Sequence, residues 1–144
     1  MGTFEETRDG VLLTDDPAKI DLDAVCDLVE LQDWGAPRRI VRTAFEHSHP
    51  YVLLEDGRLV GCMRLVTDTV MFAYVDHVIV AESHRGRGLG AWMLGSVMAR
   101  PEYAEMHRWM LLTENAHGFY RTLGFDDFSR PSYAMDIRVP CPKE

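Results

Sequence analysis

The sequence predicts a single mixed α/β domain, in which helices flank a central sheet that is mostly antiparallel. Three observations predict this α/β (α+β) class. Two stretches near the N-terminus repeat apolar residues at helical spacing. The middle of the chain carries consecutive runs rich in β-branched and aromatic residues, and two strand–helix pairs follow them. We expect about four helices, in one domain with bounds 1–144, because this length buries a core of its own.

The first elements are two predicted helices. Apolar residues at helical spacing predict a helix over residues 18–32, with Asp21 or Asp23 in its acidic first turn. Pro37 is typical of the first turn of a second helix. The apolar face of that second helix consists of Ile40, Val41, Ala44 and Phe45.

Three strands are predicted next, as a meander. Residues 51–55 and 59–67 form a hairpin around the turn Asp56-Gly57-Arg58, and residues 70–80 form the third strand. This run of neighbouring strands predicts the antiparallel part of the sheet.

The second half of the chain alternates helices and strands. A helix is predicted over residues 88–100, followed by a short strand at 109–113 and a short helix at 116–123. Residues 125–128 and 133–139 are predicted to pair as a last hairpin. The order of these elements predicts one mixed sheet.

Charge excludes one class of partner. Fifteen basic and 23 acidic residues give a net charge of −8, which argues against nucleic acid or an anionic membrane surface as the main partner. Residues 1–33 hold ten acids and two bases, whereas the acids and bases of residues 34–144 balance. The whole imbalance therefore belongs to the first quarter of the chain.

The cysteines and the N-terminus favour an ordinary cytoplasmic protein. Three cysteines without a CxxC pair predict neither a disulfide framework nor a zinc site, and Cys26 and Cys62 are expected to be buried. The N-terminus is acidic and lacks a hydrophobic stretch, and no run approaches the ~18–20 apolar residues of a membrane span.

A glycine-rich loop between a predicted strand and a predicted helix is the segment most informative about function. The strand ends at Val78-Ile79-Val80, and the loop closes with Arg85-Gly86-Arg87-Gly88-Leu89-Gly90. Glycines let the backbone approach a ligand closely, and a helix N-terminus offers unpaired N–H groups with partial positive charge. With two arginines added, the loop predicts a cradle for a pyrophosphate. The alternative is a tight turn without a ligand.

Two widespread phosphate-binding loops do not match this segment. No Lys-Ser/Thr follows the glycines, so the loop is not a P-loop. The dinucleotide fingerprint belongs after the first strand with an acid about 20 residues further on, whereas this loop follows the third or fourth strand. A different phosphate-bearing ligand is therefore implied.

Two motifs in this sequence resemble one protein family. Residues 85–90 resemble the Arg/Gln-x-x-Gly-x-Gly/Ala acyl-CoA signature of the GNAT superfamily of N-acyltransferases, and residues 75–80 resemble its fourth strand. Residues 113–125 resemble its second signature, an Asn followed by Phe-Tyr-x-x-x-Gly-Phe. The resemblance spans residues 17–139 and looks closest to small bacterial members of unassigned substrate. It implies the GNAT fold, in which the fourth and fifth strands splay apart.

The resemblance also implies an activity. It implies an acetyl-CoA-dependent N-acetyltransferase that moves an acetyl group to a primary amine of a small molecule or peptide, by direct attack in a ternary complex. No cysteine lies in either signature, which disfavours a covalent acyl-enzyme. Two alternatives stay open, a CoA-binding sensor without turnover and a GNAT scaffold for other acyl transfer. No metal is expected, and the homodimers common in the family make a homodimer the expectation here.

The cofactor contacts that the resemblance implies fall in both signatures. Main-chain amides of residues 85–90 would hold the CoA pyrophosphate, and the edge formed by residues 78–80 would pair with the pantetheine arm. A main-chain N–H near Val78 would polarise the thioester carbonyl. Asn115 would also touch the pantetheine. His117 is either a further ligand contact or a surface residue at a helix start.

Tyr120 is the candidate catalytic side chain. The leaving group of the implied reaction is a thiolate, and a phenol with a pKa of ~10 can donate a hydrogen bond or a proton to it. The alternative for Tyr120 is a half-buried aromatic residue of a short helix.

Asp76 is the candidate base that takes a proton from the attacking ammonium. Strand alternation places it on one face with Tyr74 and Val78, where the family often has a carboxylate. The alternatives are an Asp76 that is ion-paired with Arg64, or a water chain in place of a base. His77 is expected on the opposite face, as a packed histidine.

The acceptor pocket of this fold is formed by the first two helices and the final hairpin. We also hypothesise that the acidic residues of 1–33 attract a cationic amine, the alternative being a solvated acidic face. The candidate pocket residues are Trp34, Arg38, Arg39, Tyr51, Arg64, Asp68 and Tyr133.

Overall fold

The computed structural model describes residues 3–142 and contains one six-stranded sheet with helices on both faces. The strands are β1 (Glu5–Arg8), β2 (Val11–Thr14), β3 (His49–Glu55), β4 (Arg58–Thr67), β5 (Ala73–Val80) and β6 (Trp109–Met110), and they lie side by side in this order. The helices are α1 (Leu22–Glu30), α2 (Arg38–Glu46), α3 (Leu89–Met98) and α4 (His117–Arg121).

The predicted fold class is confirmed. Strands β1 to β5 pair antiparallel, and only the β5–β6 pairing is parallel. The meander β3–β4–β5 and the strand–helix order that follows it are those predicted. Residues 1–2 and 143–144 of the predicted domain lie outside the described residues. No helix within residues 3–142 is long and apolar enough to cross a lipid bilayer.

Strands β1 and β2 form an N-terminal hairpin that the apolar periodicity did not predict. Its turn residues Asp9 and Gly10 have φ values of 50° and 82°, as a two-residue hairpin turn requires. The Asp-Gly pair is therefore the sequence signal for this hairpin. Each strand has four residues, and β1 is exposed throughout, so alternation is too weak to reveal it.

Helices α1 and α2 are shorter than predicted and cover one face of the sheet. The predicted helix over residues 18–32 divides into a 3-10 turn at Pro17–Lys19 and α1, because Asp21 caps α1 through the first backbone N–H groups of the helix. Pro37 precedes α2 as its N-cap residue. The buried residues of the two helices are Val25, Cys26, Leu28, Val29, Val41 and Phe45.

Two apolar clusters sandwich the sheet. Cys62 of β4 and Ile79 of β5 pack with α1 and α2, whereas Met63 and Leu65 of β4 pack on the α3 side. Successive residues of β4 thus reach opposite faces, as side chains on a strand do. Cys26 and Cys62 are buried as predicted.

Strands β5 and β6 separate after two residue pairs. Ala73 pairs with Trp109 and Tyr74 with Met110, although β5 continues to Val80. The strand predicted over residues 109–113 is therefore limited to two residues, Trp109 and Met110. The edge of β5 beyond Tyr74 therefore borders a gap, which confirms the splayed strands that the family resemblance implied.

The predicted C-terminal hairpin is wrong. Residues 125–128 and 133–139 form no strand, and a 3-10 turn at Pro131–Tyr133 leads into an extended segment. Residues 134–142 of this segment are exposed. Alternating apolar residues predicted a strand here, but a strand also needs a partner, and none of the six described strands pairs with this segment.

Candidate active site

The glycine-rich loop lies at the N-terminus of α3. Gly86 and Gly88 have φ values of 80° and 73°, a left-handed conformation that favours glycine. The first hydrogen bond of α3 runs from the Trp92 N–H to the Gly88 carbonyl. The N–H groups of Leu89 and Gly90 consequently have no partner inside the helix. A Cβ on Gly86 would meet no atom within 4 Å, so the space over the loop is open.

Arg85 anchors the loop to neighbouring elements. Its N–H donates to the Glu82 carbonyl at 3.3 Å, and its Nε donates to the Val80 carbonyl at 3.0 Å. Its Nη2 also approaches Gln32 Oε1 at 3.4 Å. The Arg85 amide is therefore already used, which leaves the amides of residues 86–90 for the predicted cradle.

Two residues from other strands add charge to this loop. Glu55 of β3 accepts hydrogen bonds from Arg87 at 3.4 Å and pairs with His84 Nε2 at 2.9 Å. The hydrogen bond with His84, and then that from Arg87, lower the pKa of Glu55. Arg8 reaches the loop from β1, with its Nη2 3.9 Å from where a Cβ on Gly88 would lie. Sequence reasoning missed both Glu55 and Arg8.

The loop and the strand edge fit a CoA-like ligand. Main-chain N–H groups at the start of α3 and the guanidinium of Arg8 suit phosphate oxygens. The unpaired edge of β5 suits an extended, amide-containing arm, which can hydrogen-bond as an added strand does. A Cβ on Gly90 would lie 3.4 Å from Phe119 Cζ, so the two predicted signatures pack against each other.

The side chains of residues 78–80 belong largely to the core. Ile79 is 3% exposed and packs under α1 and α2, whereas Val78 and Val80 pack on the α3 side. Only the main chain of this segment is thus placed to meet a ligand, as the prediction requires.

A β-bulge changes the predicted faces of β5. The β4–β5 register shifts between Cys62 and Arg64, and His77 has a φ of 52°. Arg64 Nη2 lies 2.6 Å from Asp76 Oδ2, and Arg64 Nε lies 3.0 Å from His77 Nδ1. Asp76 and His77 therefore share the α1–α2 face. The predictions that His77 faces the opposite side and that Val78 joins Asp76 are wrong, because the inserted residue breaks the alternation.

His77 is a packed histidine, as predicted. Its ring lies 5.3 Å from the Phe45 ring and 5.8 Å from the Trp34 ring. Its Nδ1 is 3.0 Å from both Arg64 Nε and Asp76 Oδ2. A single ring nitrogen cannot accept from Arg64 and donate to Asp76 at the same time, so the tautomer of His77 decides which of the two contacts is a hydrogen bond.

Asp76 is ion-paired, which was the alternative to a free carboxylate. Burial by itself raises the pKa of Asp76, but the contacts with His77 and the charge of Arg64 outweigh burial and lower it. Asp76 is therefore ionised at neutral pH and is a weak proton acceptor.

Tyr120 of α4 faces a cavity of about 410 Å³. Its ring packs edge-on against Phe119 and Phe125, with centroids at 5.0 and 5.8 Å. Within residues 3–142 no group hydrogen-bonds its hydroxyl. Burial, and secondarily the charge of Asp76, raise the pKa of Tyr120. A phenol that is protonated at neutral pH and has a free hydroxyl suits a proton donor.

The other residues of the second signature lie at the start of α4. His117 is the first residue of this helix and lines the same cavity as Tyr120. Asn115 is exposed in the bend before it. The bend is held by Thr113 Oγ1, which accepts the Ala116 N–H at 3.1 Å.

The candidate acceptor residues divide into two groups. Trp34 and Arg64 meet at the His77 ring, on the same face as Asp76. Three of the remaining candidates do not join them. Tyr51 is 1% exposed in the core, Asp68 accepts three backbone N–H groups of the β4–β5 turn, and Tyr133 lies on the C-terminal segment.

The acids of α1 are paired with arginines of α2. Arg38 binds Asp27 at 2.8 Å and Glu30 at 3.0 Å, and Arg42 binds Asp23 at 2.8 Å. These two arginines partly offset the three acids of α1, so the attraction of this helix for a cationic acceptor is weaker than its own charge suggests. No group of three or more His, Cys, Asp or Glu side chains in the described range could hold a metal ion.

Comparisons with known proteins agree with this geometry. The sequence matches the acetyltransferase (GNAT) family over residues 18–125, which includes both signatures. A relative from Gibberella zeae that is named as an acetyltransferase is 36% identical over 77 residues. That match spans 52% of this chain and 44% of the relative.

Solved structures share the fold over nearly the whole chain. A GNAT-family structure from Xanthomonas campestris pv. campestris has a TM-score of 0.83 and 32% identity, over 93% of this chain and 96% of that chain. A GNAT-family acetyltransferase from Elizabethkingia anophelis, solved with acetyl-CoA bound, has a TM-score of 0.61 and 16% identity over 92% and 80% of the two chains. With three quarters of its length matched by the family and both signatures on the expected elements, this chain belongs to the GNAT family of acetyltransferases.

Proposed function

We propose that the protein is an acetyl-CoA-dependent N-acetyltransferase whose acceptor is a primary amine of a small molecule or peptide. The observation that carries this proposal is the separation of β5 from β6 after Tyr74, with the glycine-rich loop following β5 and with Phe119, the neighbour of Tyr120, packed against Gly90 of that loop. The Elizabethkingia anophelis structure of the same fold, with acetyl-CoA bound, supports the choice of cofactor.

Different residues around the gap would bind the cofactor, orient it and donate a proton in this reaction. Bound acetyl-CoA would supply an activated acetyl thioester. Amides of residues 86–90 and the Arg8 guanidinium would hold phosphate, and the edge of β5 from Val75 to Val80 would orient the arm. As the amine nitrogen bonds to the acetyl carbon and the carbon–sulfur bond breaks, Tyr120 would donate its proton to the leaving sulfur, and the second proton lost by the nitrogen would return through water to Tyr120.

The acceptor amine would lose its proton on the α1–α2 face of the sheet, where Asp76 and His77 lie, whereas Tyr120 packs on the α3 face. Asp76 is a weak base because its pKa is lowered, and its carboxylate pairs with Arg64 at 2.6 Å, so we assign it to positioning Arg64 and His77 beside the acceptor. The ammonium proton then leaves through water to bulk solvent. Trp34 and His77 supply the aromatic wall of this side.

Direct attack is favoured over a covalent acyl-enzyme. Cys26 and Cys62 are buried, and burial raises the pKa of Cys62 to about 12. A thiol with so high a pKa is a poor nucleophile at neutral pH. Cys141 is exposed on the C-terminal segment and lies in neither signature.

A thiol-release screen tests the proposal. The purified chain is incubated with acetyl-CoA and a panel of polyamines, amino acids, aminoglycosides and peptides with free N-termini, while thermal shift reports CoA binding. We expect stabilisation by CoA and acceptor-dependent release of free thiol. Stabilisation without thiol release on any amine would favour the sensor. The absence of any stabilisation by CoA would contradict the proposal altogether.

A further inference from the structure

Helices α1 and α2 leave part of their face of the sheet open. They pack on Cys62 and Ile79. Further along β4, Leu65 belongs to the α3-side core, so Val66 points to the α1–α2 face, where it is 43% exposed beside the half-buried Tyr74 of β5. We name this open area the acceptor shelf, and it consists of Arg64, Val66, Tyr74 and Asp76, with Trp34 beside it.

Arg64 gives the acceptor shelf a guanidinium that is mostly buried but not fully paired. The side chain is 13% exposed, with Nη2 2.6 Å from Asp76 Oδ2 and Nε 3.0 Å from His77 Nδ1. No group of residues 3–142 accepts a hydrogen bond from Nη1. Every buried side-chain nitrogen and oxygen in the described part of the chain has a partner, so Nη1 reaches solvent. Two contacts thus fix the guanidinium and leave one end of it free.

An arginine that is fixed in this way suits a carboxylate. A guanidinium carries five N–H groups in one plane, and the contacts of Arg64 use two of them. The others can bind both oxygens of a carboxylate in paired, charge-assisted hydrogen bonds. Asp76 already offsets the charge of Arg64, so an acceptor with an ammonium beside its carboxylate keeps the acceptor shelf electrically balanced. The charges therefore favour a zwitterion.

The position of the guanidinium keeps such a carboxylate close to the edge where the reaction would occur. Arg64 belongs to β4, but its Nη2 is 2.6 Å from Asp76 and therefore lies over β5. The free edge of β5 begins just past Tyr74, and the cofactor arm would follow it. An amine that attacks there while its carboxylate binds Nη1 must hold the two groups only a few bonds apart, as an α-amino acid does.

The sides of the acceptor shelf are apolar. Trp34 is 57% exposed, and its ring lies 5.8 Å from the ring of His77, which contacts Arg64. Together with the exposed Val66, this indole offers a surface on which an apolar or aromatic side chain can pack.

We propose that the acceptor is an α-amino acid with an apolar side chain, whose carboxylate binds the free end of Arg64. This inference rests on the proposed function and names its substrate class. The nitrogen of the amino acid bonds to the acetyl carbon as the carbon–sulfur bond breaks, which yields an N-acetyl amino acid and CoA. Of the two protons that the ammonium loses, one leaves to water and one replaces the proton that Tyr120 gives to sulfur.

A matched series of acceptors tests the inference. Thiol release from acetyl-CoA is measured with L-phenylalanine, L-phenylalaninamide and phenethylamine, which differ only in the group beside the amine. We expect kcat/KM to be at least about tenfold higher for phenylalanine than for the other two. The ammonium of the amide loses its proton more readily than that of the acid, so intrinsic reactivity alone would favour the amide.

Variants then test the two parts of the acceptor shelf. Arg64→Lys keeps the charge beside Asp76 but loses the planar fork, so the preference for the acid over the amide should fall about tenfold. That preference is a ratio measured on one preparation, so it does not depend on how much of the variant folds. Arg42→Lys is the matched control, because Arg42 pairs with Asp23 on α2, and it should keep the ratio. Trp34→Ala should weaken the preference for phenylalanine over glycine.

Calorimetric binding of N-acetyl-L-phenylalanine and of its amide makes the same comparison without turnover, and the acid should bind more tightly. Equal kcat/KM for the acid and the amide, or a ratio that Arg64→Lys leaves unchanged, would overturn the carboxylate site. Acetylation of other amines in that case would leave the proposed activity standing. Thiol release with none of the amines would contradict the proposed function, and this inference with it.

Discussion

Tyr120 combines a half-buried ring with a hydroxyl that bonds no described group. Its raised pKa keeps it protonated, so it can donate to sulfur throughout the neutral range. Tyr120→Phe keeps the ring and removes the hydroxyl group. We expect kcat to fall about 10²-fold, the lower end for a lost general acid, with acetyl-CoA affinity nearly unchanged.

Steady-state thiol release and calorimetric binding of CoA check this expectation. Tyr103→Phe is the matched control, because it removes a hydroxyl that hydrogen-bonds Tyr51 in the core, away from the gap. If Tyr120→Phe turned over at the wild-type rate, Tyr120 would lose its assigned role.

The ion pair of Asp76 predicts how the stability of the fold depends on pH. Its pKa is lower in the folded chain than its unfolded value of about 3.9, so the ion pair adds stability above that value. That contribution disappears as the pH falls through the folded pKa. Asp76→Asn should therefore lower the free energy of unfolding by about 1–2 kcal/mol at neutral pH, and by progressively less in acid.

Urea unfolding of both proteins at neutral and acidic pH measures the difference. Asp126→Asn is the control, because the Asp126 side chain is 88% exposed and its pair with Arg121 is solvated. A difference for Asp76→Asn that stayed constant across the pH range would show that the ion pair is not its source.

The start of α3 is the element on which cofactor binding depends. Gly88 has φ 73°, so Gly88→Ala places a Cβ in a left-handed conformation, at a cost of about 1–2 kcal/mol in stability. The methyl group also intrudes on the proposed phosphate cradle. We expect the Kd for acetyl-CoA to rise about tenfold, which corresponds to 1.4 kcal/mol.

Gly95→Ala is the matched control for this element. Gly95 lies further along α3, outside the proposed cradle, and its added Cβ would make an ordinary contact with Leu123 at 3.9 Å. Calorimetry should give this variant the affinity of the wild type. Equal affinities for the Gly88 and Gly95 variants would contradict the cradle.

Across the whole molecule, Arg100 ties the N-terminal hairpin to the end of α3. Its guanidinium is 3.0 Å from Asp15 Oδ2, 3.1 Å from Glu102 Oε1 and 2.6 Å from the Tyr51 hydroxyl. It also lies 4.7 Å from the centre of the Phe4 ring. The Arg100 side chain is 11% exposed, so solvent screens these contacts little.

Arg100→Leu should therefore destabilise the fold. Its removal leaves the poorly solvated carboxylates of Asp15 and Glu102 without a cationic partner, and we expect the free energy of unfolding to fall by about 3 kcal/mol. For a chain of this size that lowers the Tm by roughly 6–12 °C. Arg58→Leu, at an exposed position of the β3–β4 turn, serves as the control in the same calorimetric melt. A change in Tm no larger than that of Arg58→Leu would contradict the role of Arg100.

The sequence by itself determined the parts of this protein that depend on neighbouring residues. Strand alternation predicted the meander, and helical spacing predicted that α1 and α2 each have one apolar face. The glycine-rich loop before α3 and the signature around Tyr120 were also readable, because residues within one loop or one helix turn act together. These local signals were sufficient for the fold class and for the family.

Only the tertiary structure decided how distant residues pair. The β-bulge that turns Asp76 and His77 to one face has no signal in composition or spacing, because it depends on the register with β4. Glu55 lies 32 residues from Arg87, so no local pattern links them. The C-terminal segment shows the same limit. Its alternating side chains predicted a strand, but a strand is stable only beside a partner, and the partner's position is a property of the assembled sheet.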